Sequence, residues 1–178
     1  MRRIAKILMI TVTLTTAWSC TKTRLEGIYN KQENQIDTYL NNKGDESDIV
    51  RNGGANRLII VEGTGEGLAP DGNVSFYYAG YTFAGSFNPN NLFITNHEAT
   101  AAQSGWNLTD ADYQVYEINL GSTELLQGLK DGLVGVKTGE ECEILFSGKY
   151  AFGNMPFGII PANSALLFKI WEVVVSND

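Results

Sequence analysis

From residue 55 onward the chain has a single stretch of helical periodicity, and everything around it reads as short strands punctuated by glycine. Leu125, Leu129 and Leu133 recur at spacing four beside Leu126, which predicts a helix over Ser122–Leu133 with one apolar stripe. Arg57–Val61 is predicted as one strand and Val74–Phe83 as a longer one. The longer strand places Val74, Phe76 and Tyr78 on one face, with Ser75, Tyr77, Ala79, Tyr81 and Phe83 on the other. Tyr113–Leu120, Glu140–Phe146 and the strongly apolar Leu166–Val175 complete the set. A lone helix with one apolar stripe buries it against a sheet that curls around it. The expected fold class is therefore α+β, an antiparallel half-barrel sheet wrapped around one short helix. The 178 residues, 43% of them hydrophobic, supply one core and hardly two.

The N-terminus reads as an address. Arg2, Arg3 and Lys6 precede the uncharged apolar run Ile7–Trp18, which is too short to span a bilayer as a helix. Ser19-Cys20 follows at once, and the layout resembles a bacterial lipoprotein signal. That resemblance implies a signal peptide over residues 1–19 and Cys20 as the lipid anchor. The alternative is an uncleaved N-terminal anchor with an incidental cysteine; either way the body leaves the cytoplasm tethered to a membrane. Thr21 after the cysteine resembles lipoproteins sent to the outer membrane, so the expected location is the bacterial cell envelope, on its periplasmic or surface face. Loss of residues 1–19 removes three positive charges and takes the formal charge from -7 to -10, so attachment would rest on the anchor.

Residues 20–54 read as a polar tether with a short helix over Gln32–Leu40, carrying Ile36, Tyr39 and Leu40 on one side and able to dock on the domain. The domain proper is expected over residues 55–178. With Cys20 committed to lipid, Cys142 has no disulfide partner; flanked by Glu141 and Glu143 in a strand-like run, it reads as a small core residue.

Composition narrows the chemistry. Thirteen Lys+Arg against 20 Asp+Glu leave no surplus for a phosphate backbone, so no nucleic-acid partner is expected. One histidine and two cysteines do not assemble a usual zinc site, and no metal or other cofactor is expected. A Ser-His-acid triad would have to run through His97 alone, beside which no nucleophile elbow is found. The glycines of Glu62–Gly67 lack a P-loop lysine and a following βαβ unit, and read as a turn.

The stretch Leu120-Gly121-Ser122-Thr123-Glu124-Leu125-Leu126-Gln127-Gly128-Leu129-Lys130-Asp131-Gly132-Leu133 resembles the "LG..EVI.GW.EGL" helix of FKBP-type peptidyl-prolyl isomerases. Lys137-Thr138-Gly139-Glu140, Tyr150-Ala151-Phe152-Gly153 and Gly158–Phe168 follow in order, similar to the family's "VGE", "AYG" and "G.IPPNATL.F" signatures. Upstream, Val74–Gly80 resembles its "V.VHYTG" strand. The resemblance implies a half-barrel over one helix and an isomerase of proline-containing polypeptides. Twisting a prolyl amide crosses a barrier of about 18–20 kcal/mol without a proton transfer, so an apolar slot suffices where a nucleophile or metal is lacking.

Carried over residue by residue, the resemblance implies Tyr78, Phe93, Leu126, Phe152, Ile160 and Phe168 as the catalytic set, with Tyr116, Leu125, Leu129 and Ile159 binding substrate. The proline ring would lie between Tyr78, Phe93, Leu129, Ile160 and Phe168. Leu129 stands where the family usually has a tryptophan floor, and Phe152 lacks the hydroxyl of the "AYG" tyrosine. The "FDSS" segment has two registers, Phe87-Asn88 and the preferred Phe93-Ile94-Thr95-Asn96; in both, the aspartate partner of Tyr78 is gone. An insertion near residues 95–113, with a short helix over His97–Gln103, reads as a lid or partner surface beside the pocket or as a self-packed excursion over Trp106. The alternative function on the same scaffold is a peptide- or protein-binding module with little or no isomerase activity.

Overall fold

The computed structural model describes the backbone of residues 2–178 and the side chains of residues 22–178. The signal peptide expected over residues 1–19 and the anchor Cys20 thus lie outside the residues described with side chains.

Seven strands form one antiparallel sheet: β1 (Ile49–Asn52), β2 (Ala55–Val61), β3 (Asn73–Phe83), β4 (Leu92–Thr95), β5 (Tyr116–Asn119), β6 (Glu141–Phe146) and β7 (Ala165–Ser176). Their spatial order is β1-β2-β6-β7-β3-β4. The long central strand β3 serves two edge strands, pairing Asn73–Phe76 with β5 and Ala79–Tyr81 with β4. Among the described residues three α-helices accompany the sheet: α1 (Arg2–Lys43), α2 (Glu98–Gln103) and α3 (Gln127–Leu133). The antiparallel half-barrel around a short helix is the fold that patterning implied.

Alternation along β3 sorts its side chains as expected. Val74, Phe76 and Tyr78 face a core shared with Leu129 and Leu133 of α3, whereas Ala79, Tyr81 and Phe83 join a second core behind the sheet. On β7, Leu166, Phe168 and Ile170 face α3, while Ala165 and Leu167 face the other way. Cys142 is buried in the α3 core.

The helix expected over Ser122–Leu133 begins only at Gln127. Asn119 explains the delay: its side-chain oxygen accepts the Ser122 N–H at 3.1 Å and its carbonyl accepts the Thr123 N–H at 3.0 Å, folding this stretch as a turn after β5. Leu126 is still extended (φ -55°, ψ 135°), and the Lys130 N–H gives its carbonyl the first helical bond at 3.0 Å. Two glycines one turn apart then let α3 lie against β6. A Cβ on Gly128 would meet the Phe146 ring at 2.2 Å, and one on Gly132 would meet Ile144 at 2.2 Å. The β1–β2 hairpin likewise needs Gly53 and Gly54, both at positive φ.

The second core has a cover that differs from the expected tether. The short helix expected over Gln32–Leu40 is part of the longer α1, whose Ile36 and Leu40 are fully buried against Leu58, Tyr81, Phe83 and Leu167. Ile49–Asn52, inside the expected polar segment, adds a strand to the sheet edge. The scattered apolar residues of this region are spaced to meet the back of the sheet, which is why the segment packs rather than trails. Among the described residues, no helix is long and apolar enough to cross a membrane.

Polar contacts seat α1 at both ends of its packed portion. Gln32 donates to the Asn163 carbonyl at 2.5 Å and accepts the Gly148 N–H at 2.9 Å, while the Tyr29 hydroxyl donates to the Asn163 side chain at 2.9 Å. Tyr39 donates to Glu143 at 2.8 Å, and Lys43 pairs with the same carboxylate. On the opposite face, buried Arg57 joins Glu140 at 3.0 Å and donates to the Gly132 and Val134 carbonyls, clamping the C-terminal end of α3 to the sheet. If α1 is part of the core, Ile36→Ala and Leu40→Ala each cost about 2–5 kcal/mol in urea unfolding. An unmoved midpoint would show that the helix is a mere spacer.

Candidate active site

A cavity of about 760 Å³ opens on the α3 side of the sheet. Its walls come from elements far apart in sequence. β3 supplies Phe76 and Tyr78, β4 supplies Phe93 and Ile94, β5 supplies Tyr116 and β7 supplies Phe168. Leu129 of α3 forms a floor, and the delayed start of that helix frees Leu125 and Leu126 to line one side instead of stacking on the helical stripe. The loop after β6 adds Phe152 and Phe157–Ile160 as the remaining wall.

Aromatic edges fix the shape. Tyr116 meets Phe76 and Tyr78 in T-shaped contacts, each with centroids 5.7 Å apart, and Phe93 meets Phe168 edge-on at 5.8 Å. Phe168 in turn stacks on Phe146 at 6.0 Å. The wall loop is closed by paired backbone bonds between Phe157 and Ile160, at 3.0 and 2.9 Å, with Gly158 at positive φ between them. Phe157 stacks on Phe152 at 4.6 Å, almost parallel. Ile94, Met155, Phe157 and Ile159 stay exposed on and near the rim, the last with 76% of its surface open. Both ends of the loop are held from behind, because the partners of Gln32 and Tyr29 are Gly148 and Asn163.

Tyr78 is fixed by its backbone. Its N–H donates to the Asn96 side chain at 2.6 Å and its carbonyl accepts from the Thr95 hydroxyl at 2.7 Å. Asn96, itself buried, also donates to the Gln114 carbonyl at 2.9 Å. The Thr95-Asn96 pair thus ties β4 and the segment before β5 to the middle of β3. Among the described residues the Tyr78 hydroxyl has no hydrogen-bond partner. Burial raises its pKa, and the neighbouring Tyr116 raises it further.

All the residues that resemblance assigned to the site, Tyr78, Phe93, Leu126, Phe152, Ile160, Phe168, Tyr116, Leu125, Leu129 and Ile159, line this one cavity. Of the two phenylalanine registers, Phe93 lies on its wall. Phe87 lies behind the sheet, 5.0 Å from Tyr81 and under the Lys169 ammonium. Ile94, which the resemblance sets at the aspartate position, lines the cavity with an exposed apolar side chain. Sequence reasoning did not assign Phe76, Glu124, Phe157 or Asn96. Phe76 shares the Tyr78 face and was within reach of the alternation; Phe157 sits in an aperiodic loop that gives no such signal.

The insertion is not a lid. No residue from 96 to 115 lines the cavity, and α2 lies behind the sheet with Ala101 buried and Trp106 packed on the second core. His97 is no plain surface residue, since it stacks on Trp171 with centroids 4.4 Å apart. Among the described residues, no group of His, Cys, Asp and Glu is placed to hold a metal ion.

The family model for FKBP-type peptidyl-prolyl cis-trans isomerases matches residues 71–171, more than half of the chain. The chain belongs to that family. FK506-binding protein 1 of Aspergillus oryzae is 24% identical over 117 residues, covering 66% of this chain and 94% of that protein. The human inactive peptidyl-prolyl cis-trans isomerase FKBP6 is 28% identical over 124 residues, 69% of this chain and 33% of that longer protein. FkpA from Escherichia coli has a similar fold, with a TM-score of 0.56 at 17% identity over 95% of this chain and 70% of its own. A peptidyl-prolyl cis-trans isomerase from Pseudomonas syringae pv. tomato gives 0.57 at 18% identity, over 85% of this chain and 95% of its own.

The unpartnered Tyr78 phenol can be read directly. In ultraviolet difference titration, Tyr78→Phe should remove a phenol that ionises above pH 10. The unfolded chain ionises first, so this residue's contribution to stability falls as pH rises past 10. Loss of a step at or below 10 would contradict the buried, uncompensated environment.

Proposed function

We propose that this member of the FKBP family catalyses prolyl cis-trans isomerisation in extended segments of envelope or secreted proteins, from a lipid anchor at Cys20. In this reading residues 1–19 are a signal peptide, residues 55–178 with α1 and β1 packed on them are the working domain, and the protein resides in the bacterial cell envelope at the outer membrane. The observation that carries the catalytic part is the open apolar cavity walled by Tyr78, Phe93, Leu129, Ile160 and Phe168. The anchor rests on the sequence alone.

The cavity lowers the barrier by changing the solvent of the amide. A planar prolyl amide is more polar than its twisted transition state, so moving it from water to a wall of rings and aliphatic chains costs the ground state more. The imino-acid ring fits against Leu129, with Tyr78 and Phe168 on its flanks. The extended Leu126 lies before the first turn of α3, and among the described residues nothing accepts its N–H, leaving that donor for a substrate carbonyl. Ile159 and Phe157 on the open rim supply apolar contact for residues flanking the proline. No proton moves, so the lack of acids and bases in the wall beyond Glu124 and the two tyrosines is no handicap.

Two observations favour the second reading, a binding module with little catalysis. Phe152 brings no hydroxyl to the cavity, and Tyr78 lacks a carboxylate to orient its own. In addition, two relatives, the FKBP6 proteins of human and mouse, are named inactive. An isomerisation assay on a short X-Pro peptide separates the readings: the enzyme gives a measurable, modest rate above buffer, and Leu129→Trp and Phe152→Tyr raise it. Phe93→Ala should lower kcat/KM at least about tenfold, near 1.4 kcal/mol, whereas Phe87→Ala behind the sheet leaves it unchanged. A wild-type rate equal to buffer, gained only by the variants, would establish the binding module. Labelling with radioactive palmitate should mark the chain and fail on Cys20→Ser; label retained by that variant would contradict the anchor.

A further inference from the structure

Behind the sheet lies a second cavity, of about 590 Å³, that the isomerase reading does not use. The insertion builds it. α2 and the turn after it lean over β3 and β7, and the short side chains of Ala99, Thr100 and Ser104 leave space where longer ones would fill it. Trp106, Trp171, Tyr81 and Phe87 give it flat apolar walls. Trp171 is already capped on one side by His97, whose ring nitrogen lies 2.9 Å from the Thr100 hydroxyl, so the walls are fixed before any ligand arrives.

Charge decides what the cavity favours. Its lining holds no carboxylate, and its one ammonium is Lys169, which sits 4.0 Å over the Phe87 ring. Lys169 faces Glu143 at 3.5 Å, too far for a full hydrogen bond. The oxygens of Glu143 are engaged elsewhere, by Lys43 on one and by the Tyr39 hydroxyl on the other. Two ammonium groups therefore share one carboxylate, and the surplus positive charge lies on the cavity wall of a chain whose net charge is -7. A volume of this size suits a small organic molecule.

We propose that this cavity is a binding site for a small flat carboxylate, its ring system against the indoles and its oxygens on Lys169. The site is independent of the prolyl cavity, from which the sheet separates it.

The chain's own tryptophans report on it. Of its three, Trp106 and Trp171 line the cavity and the third is Trp18, near the N-terminus. In a nitrogen-proton correlation spectrum of the full, unprocessed chain in detergent, naphthalene-2-carboxylate should shift the indole signals of Trp106 and Trp171 saturably, leaving that of Trp18 in place. It should bind at least about tenfold tighter than naphthalene-2-carboxamide, the charge-assisted bond being the difference. Lys169→Met should erase that preference while leaving the isomerisation rate untouched, and an X-Pro peptide should not compete. Indole signals unmoved up to low millimolar probe, or carboxylate and carboxamide binding alike, would overturn the proposal. Should Lys169→Met fail to fold, the comparison of the two probes on the unaltered chain decides alone.

Discussion

Side chains alternate across a strand, so a sheet packed on one side alone carries polar residues on the other. β3 and β7 do not follow that economy: Phe76 and Phe168 point one way, Ala79, Tyr81, Phe83 and Leu167 the other, and all are buried. A sheet apolar on both faces needs two covers. α3 is the first, pressed close enough by Gly128 and Gly132 that its leucines and the sheet rings share one core. α1 is the second, and its burial of Ile36 and Leu40 extends the domain back into the segment that precedes it.

That double cover shapes the site. Because α3 is only seven residues long, Leu125 and Leu126 turn toward the cavity instead of continuing the helical stripe. Because Gln32 and Tyr29 hold Gly148 and Asn163, the loop carrying Phe152, Phe157 and Ile160 is braced from the far side of the sheet. The wall of the cavity therefore depends on a helix that never touches it. A desolvating slot works only if its walls keep water out, and this bracing is what holds the loop wall in place.

Much of this was legible in residues. The alternation of Val74–Phe83 placed Val74, Phe76 and Tyr78 on one face and Ala79, Tyr81 and Phe83 on the other, because burial on both sides of the strand makes both sets apolar. Three of the ordered blocks from Leu120 to Phe168 named residues that line one cavity, each contributing a wall of its own, whereas Lys137–Glu140 lies away from it. Less was legible where local hydrogen bonds overrule periodicity. Asn119 stalls the helix at Gln127, although Leu125, Leu129 and Leu133 keep perfect spacing. β4 was unreadable as a strand, being four residues pinned by Thr95 and Asn96 to the Tyr78 backbone. Docking of a helix over Gln32–Leu40 was legible in Ile36, Tyr39 and Leu40; its role as cover of a second core was not, because these residues stand among polar ones that face solvent or reach single polar partners across the fold.

The central claim is that the cavity before Leu129 takes a prolyl ring and speeds its rotation. Proton exchange spectroscopy on a short X-Pro peptide, with a trace of isotope-labelled protein, tests both halves in one sample. The account predicts exchange peaks between the cis and trans proline signals, together with shifts confined to Tyr78, Phe93, Leu129 and Ile160. Cis and trans signals that exchange no faster than in buffer, or shifts clustered away from those residues, would contradict it.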